Sequence, residues 1–498
     1  MMFVRLVALF LLAMAAEPAM AAPPLIPMPI SMIPNDGEFR ITDATIVEGK
    51  RKAAPTAAYL ANSLGLKSGT RGTIRLKLVS KSVLPHPEAY RLNVTPREVR
   101  IEASDPRGLF YGAQTLWQLI DKRSIAAVDI RDEPRFKWRG LLIDVARHFF
   151  DKKQMVQIID EMAAYKLNVL KLHLTDYQGW RIEIPAYPKL TEVGSLVDGK
   201  PRYFTTGEMQ EIVKYAADRH IMVVPEIEMP GHAGAAARAY PEYFDEEGGA
   251  FNPANPNTYD FVRGVLTEVA RIFPAPYLHF GGDEVGDETW VGMAAVDKLK
   301  AEHGLKSTDE VEAYFGRKVV AIIESLGKRP MAWDEQVDAA APKSVVIQWW
   351  RIGKPDVLRA AANGGYDLVM SPANQLYFDY PQGPGEPGAP WEGNQGGPQS
   401  IAKILAWDPF PADFTPAEES HVLGVEAAVW TEFIETERYL QFMTFPRMLA
   451  LAEIAWRQKG ARDEKEFDAR LQPHIEGLRA RGINARRGEG DAYEFITN

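Results

Sequence analysis

The sequence contains no cysteine among its 498 residues. This absence excludes disulfide bonds, a thiol nucleophile and any metal site built on cysteine. Hydrophobic residues make up 46% of the chain and charged residues 25%, a composition typical of globular proteins. A chain of this length can bury the cores of two domains. We therefore expect its stability to come from packed cores alone.

Basic residues and long apolar runs are also scarce. Lysine and arginine number 57 against 67 aspartates and glutamates, which gives a formal net charge of -10. Nucleic-acid-binding proteins show the opposite balance, and a polyanionic substrate would be repelled on average. After the first residues, no apolar run reaches the length of a membrane helix. The sequence thus predicts no nucleic-acid partner, no membrane span and a neutral ligand.

Residues 1–21 have the pattern of a secretory signal peptide. Arg5 supplies the positive charge, an apolar stretch runs from Leu6 to Ala16, and Ala19-Met20-Ala21 matches a small-x-small cleavage pattern. Cleavage is expected after Ala21. The sequence therefore predicts a periplasmic or secreted protein.

Residues 23–133 predict a small α+β domain. The runs 73–78 and 99–103 alternate apolar and polar residues as strands do, and 108–119 has the apolar spacing of a helix. This region holds no candidate catalytic cluster, so we expect a structural or docking role for it.

Residues 134–460 consist of short apolar runs, most of them followed by a helical stretch. Eight such runs predict a (β/α)8 barrel, or TIM barrel. The runs are Gly140–Val145, Val169–Leu174, Ile221–Glu226, Tyr277–Gly281, Pro330–Trp333, Val345–Trp350, Tyr366–Ser371 and Leu423–Trp430.

Four further segments complete the predicted organisation. Single helices are expected over 152–165 and 438–456. The segment 380–400, rich in proline and glycine, is too long for an idle connection and predicts a loop at the rim of the cleft. Residues 461–498 are expected to form a helical tail that packs on the barrel.

Polar and aromatic residues lie in or just past the ends of the eight runs. Barrel enzymes place their active sites at the carboxyl ends of the strands, so these side chains are expected to converge. They are Asp144, Asp176, Glu228, His232, Asp283, Glu284, Trp333, Trp350, Tyr377 and Glu432.

The tetrad Gly281-Gly282-Asp283-Glu284 places two adjacent carboxylates after the run 277–280. Neighbouring side chains on a strand point to opposite sides, so the two cannot easily flank one bond as acid and nucleophile. In the substrate-assisted exception among glycoside hydrolases, the acetamido oxygen of the sugar is the nucleophile. One carboxylate then holds that group while its neighbour protonates the leaving oxygen.

The motifs as a set resemble glycoside hydrolase family 20, which contains the β-N-acetylhexosaminidases. The resemblance covers most of the chain after the signal segment. It rests on the segments 138–149, 173–181, 226–232, 279–284, 333–335, 350, 377–379, 407–409 and 424–432.

The resemblance implies a role for each of five catalytic residues. Glu284 would be the general acid and then the general base, with its pKa raised by the negative charge of Asp283. Asp283 would accept the acetamido N–H, orient the attacking oxygen and stabilise the oxazolinium intermediate. Asp176 and His232 would link to Glu284 through hydrogen bonds. Tyr377 would donate its hydroxyl hydrogen to the acetamido oxygen.

The resemblance also implies a subsite for the terminal sugar. Arg139 would bind sugar hydroxyls through its several donors, and Asp379 and Glu432 would accept bonds from outer hydroxyls. Flat indole rings would wall the pyranose, and the candidates are Trp333, Trp350, Trp407 and Trp430. His148, His173 and His279 are expected to be hydrogen-bonded residues around the site. Three positions depart from the family pattern, namely Lys171, Tyr177 and Glu228.

The implied activity is an exo-acting, retaining β-N-acetylhexosaminidase. It would remove terminal N-acetylglucosamine or N-acetylgalactosamine from oligosaccharides or glycoconjugates, without a cofactor or metal.

Two alternative functions stay open at this point. A metal-dependent barrel hydrolase could use the histidines near strand ends, although no His-x-His or His-Glu-x-x-His motif is present. A catalytically silent sugar-binding barrel would keep the tryptophans and could dispense with the acid.

Overall fold

The computed structural model describes residues 23–245, 249–338, 340–390, 397–460 and 462–488. The expected signal peptide therefore lies outside the described residues. The first domain contains seven strands: β1 Ser31–Arg40, β2 Ile46–Gly49, β3 Lys67–Gly69, β4 Ile74–Leu78, β5 Tyr90–Val94, β6 Val99–Ala103 and β7 Ser124–Asp132. They form one mixed sheet in the order β1-β7-β5-β6-β4-β2-β3.

Side-chain alternation along the strands builds the core of this domain. In β6, Val99, Ile101 and Ala103 are buried while Arg100 is exposed. Two helices, α1 Ala54–Ser63 and α2 Pro106–Gln118, pack on the sheet. Helix α2 begins after Asp105, whose carboxylate accepts a hydrogen bond from the Arg107 backbone.

The second domain is a closed barrel of eight parallel strands. In chain order the strands are β8 Trp138–Asp144, β9 Val169–His173, the short hairpin β10 Leu196–Val197 and β11 Lys200–Pro201, β12 Met222–Glu226, β13 Tyr277–His279, β14 Arg329–Trp333, β15 Val346–Trp349, β16 Leu368–Met370 and β17 Val422–Val429. All except β10 and β11 belong to the barrel, which closes where β17 pairs with β8. Each of the eight predicted runs overlaps one barrel strand, so the predicted fold is confirmed.

Helices cover the outside of the barrel and its rim. They are α3 Lys152–Ala164, α4 Lys189–Glu192, α5 Thr206–Ala217, α6 Gly234–Ala239, α7 Pro256–Ile272, α8 Ala294–His303, α9 Thr308–Ser325, α10 Glu335–Asp338, α11 Pro355–Asn363, α12 Ala373–Leu376, α13 Ile401–Ala406, α14 Pro416–Glu419, α15 Glu437–Thr444, α16 Arg447–Trp456 and α17 Glu464–Ala480. Short 3-10 turns occupy Arg51–Ala53 and Pro241–Tyr243.

The prediction of one helix over 438–456 is wrong. Two helices, α15 and α16, occupy this segment, and they are separated by Phe445 and Pro446. Proline lacks the N–H that a helix interior needs, and its ring clashes with the preceding turn. Pro446 therefore ends one helix and precedes the next.

The barrel interior changes from apolar to charged to aromatic along its axis. One end is filled by a cluster that includes Trp138, Val224 and Met331. Above this cluster, the buried Lys171 ammonium lies 2.8 Å from Glu226 and 3.5 Å from Glu426. Indole and phenol rings follow at the carboxyl ends of the strands. This order places a rigid ionic layer directly under the aromatic end of the barrel.

The C-terminal helix α17 contacts two barrel helices. Arg470 of α17 binds Glu453 of α16 at 2.8 Å, and Arg481, the residue directly after α17, binds Glu161 of α3 at 2.8 Å. The expected tail after 488 lies outside the described residues. None of the described helices combines the length and apolar content that crossing a bilayer requires.

Candidate active site

A cavity of about 350 Å³ opens at the carboxyl ends of the barrel strands. This size lies within the range of small-molecule pockets. The cavity is lined by Arg147, His173, His232, Asp283, Glu284, Trp333, Trp350, Tyr377, Asp379, Tyr380, Trp430 and Glu432. The structure thus brings together most of the side chains that the sequence singled out, although they come from segments almost 300 residues apart.

A tight glycine turn delivers the two adjacent carboxylates to this cavity. Gly281 and Gly282 have φ angles of +73° and +83°, a region that favours glycine. A Cβ atom on Gly281 would lie 1.6 Å from Glu228 Oε2, so a larger residue would force the buried Glu228 side chain to move. Glu284 itself has a φ of +51°, and backbone strain of this kind clusters at functional sites.

Asp176, His232 and Glu284 form a chain of polar contacts. His232 Nδ1 lies 3.2 Å from Asp176 Oδ2, and His232 Nε2 lies 3.3 Å from Glu284 Oε2. His232 Nε2 is also 3.8 Å from Asp283 Oδ2. The predicted link between Asp176, His232 and Glu284 is therefore present in the geometry.

The ionic environment fixes the charge of this chain. Burial alone would raise the pKa of Asp176, but Arg147 and hydrogen bonds from His173 and His232 outweigh it and hold that pKa well below its usual range. Burial alone would lower the pKa of His232, yet hydrogen bonds to Asp176 and Glu284 raise it well above its ordinary value. The surrounding carboxylates therefore favour the protonated, cationic form of His232.

The pKa values of the carboxylate pair differ in the direction opposite to the prediction. The hydrogen bond from His232 lowers the pKa of Glu284, whereas Asp283 was expected to raise it. Burial instead raises the pKa of Asp283 to about 6, and the charges of Glu284 and Glu226 act in the same direction. The expectation failed because the charge of His232 could not be placed from the sequence.

The prediction for Arg139 is wrong. Arg139 is the second residue of β8, so it lies at the end of the barrel opposite the cavity and is fully buried. Its guanidinium forms two hydrogen bonds of 3.1 Å with Glu88 of the first domain and one of 3.0 Å with the Tyr111 hydroxyl. Arg139 therefore joins the two domains and does not reach a sugar in the cavity.

Arg147 is the guanidinium that lines the cavity. It lies 3.1 Å from Asp144, 2.9 Å from Asp176 and 3.6 Å from Glu432, over the ring of Trp430. Arg147 lies in the segment 138–149 that carries the family resemblance, but no role was predicted for it. Its position three residues after the end of β8 was the available signal.

Aromatic rings form the cavity walls. Trp350 and Tyr377 are stacked with an interplanar angle of 10° and centroids 6.1 Å apart. Trp430 lies 5.9 Å from both Tyr377 and Trp333. Burial raises the pKa of Tyr377 well above its ordinary value, so its hydroxyl stays protonated and can donate.

Trp407 was predicted to wall the sugar subsite, and this prediction is wrong. It follows α13 and packs against the large hydrophobic core instead of lining the cavity. The neighbouring Asp408 binds Arg135 at 2.7 Å, just before β8 begins. The contact holds this segment near the amino ends of the strands, away from the carboxylates.

Two buried carboxylate oxygens in the cavity have no hydrogen-bond donor among the described residues. Asp283 Oδ1 and Glu432 Oε2 are buried and accept no hydrogen bond from the described residues. Buried polar atoms in folded proteins are nearly always hydrogen-bonded, so a ligand with N–H or O–H groups would complete them. Asp379 also lines the cavity, as does Tyr380, which the sequence analysis had placed in the rim segment without a role.

The remaining predicted histidines and the departing residues lie around or beneath the cavity. His148 Nδ1 contacts the Thr431 carbonyl at 2.5 Å, and His279 Nδ1 accepts the Gly281 N–H at 3.1 Å.

Three residues lie close enough together to hold a metal ion. A ring nitrogen of His173 and carboxylate oxygens of Glu226 and Glu228 lie within 4.8 Å of one another. The carboxylate of Glu226 already contacts the Lys171 ammonium, and burial together with the charge of Asp283 raises the pKa of Glu228 well above its ordinary value. A metal ion bound here would have to displace a proton from Glu228 and compete with Lys171 for Glu226.

An aromatic-walled cavity at the carboxyl ends of barrel strands, with a carboxylate pair and a histidine relay, defines a glycoside hydrolase. Residues 136–459 match the catalytic domain of glycosyl hydrolase family 20, and residues 22–133 match domain 2 of the same family. The chain belongs to glycosyl hydrolase family 20.

Curated relatives agree with this assignment. The chain is 35% identical to a beta-N-acetylhexosaminidase of Cellulomonas fimi over 90% of this chain and 93% of the relative. It is 33% identical to a beta-hexosaminidase of Porphyromonas gingivalis over 92% of this chain, and it spans 64% of that longer protein.

Solved structures share the fold. A family 20 exo-beta-N-acetylglucosaminidase from Vibrio harveyi in complex with N-acetylglucosamine has a TM-score of 0.87 and 31% identity, over 93% of this chain and 78% of that one. An N-acetyl-beta-hexosaminidase from Streptomyces plicatus in complex with Thio-NAglucal has a TM-score of 0.82 and 33% identity, over 94% and 97% of the two chains.

Proposed function

We propose that the protein is an exo-acting, retaining β-N-acetylhexosaminidase that uses the acetamido group of its substrate as nucleophile. One observation carries the proposal: Asp283 and Glu284 are sequence neighbours that line the same cavity, and His232 contacts both. The relative from Vibrio harveyi with bound N-acetylglucosamine supports the same substrate class. N-acetylgalactosamine is included as a second terminal sugar.

In the first step, the acetamido oxygen attacks the anomeric carbon, and the bond to the leaving oxygen breaks. Asp283 accepts the acetamido N–H and stabilises the positive oxazolinium ring, while Tyr377 directs the attacking oxygen. Glu284 gives its proton to the leaving oxygen. In the second step, Glu284 takes a proton from water as that water opens the ring, and the two inversions together retain the anomeric configuration.

The acid needs a proton that Glu284 lacks in the free enzyme. His232, whose protonated form its neighbours favour, lies 3.3 Å from Glu284 Oε2 and can supply this proton. The Glu284 side chain is 56% exposed, and a bound sugar would cover it. Loss of water raises a carboxyl pKa, so substrate binding favours transfer of this proton to Glu284.

A comparison of two aryl glycosides tests the proposal. The protein should hydrolyse an aryl N-acetyl-β-glucosaminide and should leave the matching aryl β-glucoside, which has no acetamido group, almost untouched. NMR should detect the β anomer of the sugar first. Equal rates on the two substrates, an inverted product or a sugar esterified to a side chain would each refute the mechanism.

Substitution of Glu284 tests the identity of the acid. Glu284→Gln should lower kcat about 10²- to 10⁴-fold for an alkyl glycoside, because general acid catalysis contributes that much. For a nitrophenyl glycoside the loss in the first step should be smaller, since that leaving group departs without a proton. A catalytically silent sugar-binding barrel would show no activity on either substrate with any variant.

Removal of metal separates the proposal from the metal-dependent alternative. Activity should survive dialysis against EDTA without loss, since each step uses only carboxylates, a histidine and the acetamido group. Loss of activity that Zn²⁺ restores would instead support a metal held by His173 and Glu226.

The place of action is also a proposal. Residues 1–21 have the pattern of a signal peptide, which supports export to the periplasm or the medium. Fractionation of cells that express the full chain tests this, together with the mass of the mature protein. Recovery of uncleaved protein in the cytoplasm would contradict it.

A further inference from the structure

A second cavity, of about 270 Å³, lies next to Glu284. Glu284 lines both cavities. Other residues that line the second cavity are Tyr177, Asp245, Glu288, Trp290 and Val291. An acid that protonates the leaving oxygen must stand between the terminal sugar and the leaving group. A cavity that shares Glu284 with the first cavity is therefore the candidate position for the leaving group.

Tyr177 and Val291 give this cavity an apolar surface suited to the C–H face of a sugar ring. Tyr177 is 46% exposed and Val291 is 71% exposed. Only a few large hydrophobic residues in the described part of the chain are exposed to this extent. The Tyr177 ring lies 5.5 Å from the His232 ring, and a Cβ atom on Gly234 would come within 2.6 Å of it. Arg238 donates a 2.7 Å hydrogen bond to the Tyr177 carbonyl. The ring is thus held in place although its face is open to solvent.

Among the described residues that line the second cavity, every charged side chain is acidic. Glu284, Asp245 and Glu288 line it, and no described lining residue is basic. The guanidinium of Arg238, which contacts Tyr177, donates instead to the carbonyls of Tyr177 and Gln178. A carboxylate on the leaving group would face acidic side chains without a partner, whereas an uncharged group would not.

We infer that the second cavity is the leaving-group subsite and that it selects neutral or amino-sugar leaving groups against carboxylate-bearing ones. The inference rests on the proposed function. It favours chitin-type and amino-sugar oligosaccharides as substrates, and it disfavours disaccharides whose reducing unit carries an acidic lactyl ether, as in N-acetylmuramic acid.

Disaccharides that share a terminal β-1,4-linked N-acetylglucosamine test the inference. The reducing units are N-acetylglucosamine, glucosamine, N-acetylmuramic acid and the methyl ester of the last, which has the shape of the acid without its charge. At low ionic strength, kcat/KM for the ester should exceed that for the acid at least about tenfold. The ratio should shrink in 0.5 M salt, because screening weakens repulsion between exposed charges.

Substitution of one acidic residue locates the effect. Glu288→Gln should reduce the ester-to-acid ratio severalfold. Asp287→Asn is the matched control, since Asp287 is an exposed neighbour outside the cavity lining, and it should leave the ratio unchanged. Equal cleavage of acid and ester, or equal effects of the two variants, would overturn the inference.

A failure of the proposed function can be distinguished from a failure of the subsite inference. If the aryl N-acetyl-β-glucosaminide is not hydrolysed at all, the proposed function itself is wrong. If that substrate is hydrolysed but the ester and the acid react alike, only the subsite inference is wrong.

Discussion

At the scale of single residues, two arginines only eight positions apart in the sequence have unrelated roles. Arg139 stands at the start of β8 and Arg147 just after its end, so the barrel separates them along its axis. Arg139 is buried against Glu88, whereas Arg147 contacts Asp176 at the cavity. The sequence already contained a signal for this difference, because the predicted strand began after Arg139 and thus placed it at the end of the barrel away from the cavity.

This separation predicts different consequences of substitution. Arg139→Met should lower the free energy of unfolding by about 3–5 kcal/mol, because Glu88 is left buried without a partner. The fraction of the Arg139→Met variant that stays folded should keep the kcat of the unsubstituted protein. Arg147→Met should lower kcat/KM about tenfold or more, since Asp176 and Glu432 lose their cation. Thermal unfolding and aryl glycoside kinetics measure the two effects.

The double variant Arg139→Met/Glu88→Leu provides the control. Replacing both partners of a buried ion pair with apolar residues is often neutral, so stability should largely recover. A strong loss of kcat in folded Arg139→Met protein would instead place this residue in catalysis.

The pH dependence of activity should report the pKa of Asp283. Only its ionised form can accept the acetamido N–H and stabilise a positive ring. Burial raises this pKa from 3.8 to about 6, so kcat/KM should rise with pH through about 6 and fall roughly tenfold per unit below it. A profile with its acidic midpoint near 4 would contradict this assignment.

His232 supplies an internal check of the same assignment. The charge of His232 lowers the pKa of Asp283, so His232→Asn should move the acidic midpoint above 6. The variant should also lose about 10- to 100-fold in kcat, which corresponds to one charge-assisted hydrogen bond. Circular dichroism across the pH range separates titration from unfolding.

At the scale of elements, the sequence predicted every barrel strand but not every helix. Each strand is a short apolar run, and parallel strands are buried on both faces, so composition alone marks them. The break at Pro446 was missed because apolar spacing continues on both sides of it. The contacts that determine the protonation of the site residues, such as that of His232 with Glu284, join segments about 50 residues apart. The periodicity of apolar residues within each segment cannot predict such contacts.

The glycine turn before Asp283 predicts a sharp positional effect. Gly281→Ala should reduce kcat at least about 100-fold, because the new Cβ collides with Glu228 and displaces the carboxylates that follow. Gly304→Ala is the matched control, since Gly304 has a similar φ of +69° and its Cβ would meet no atom within 4 Å. The control should lose only about 1–2 kcal/mol of stability and keep its activity. Similar kinetics for the two variants would show that the turn tolerates a side chain.

At the scale of the whole molecule, buried charges cross the boundary between the two domains. Asp132, the last residue of β7, lies 3.2 Å from the Lys166 ammonium of the barrel. Asp132 also accepts hydrogen bonds from Tyr90 at 2.6 Å and from the Trp456 indole at 2.9 Å. Separation of the domains would expose the barrel's Lys166 and Arg139 without partners. The first domain thus stabilises the barrel through buried polar contacts, although none of its residues lines the cavity.

This boundary predicts a single cooperative unfolding transition. Calorimetry of the intact chain should give one peak, with the calorimetric enthalpy equal to the van't Hoff enthalpy. Asp132→Asn should lower the unfolding free energy by about 3–5 kcal/mol, because the buried Lys166 ammonium loses its counterion. Asp129→Asn, an exposed change on the same strand, should cost less than about 1 kcal/mol. Two resolved peaks for the unsubstituted protein would mean that the domains fold independently, and the buried charges at their boundary would then contribute little to holding them together.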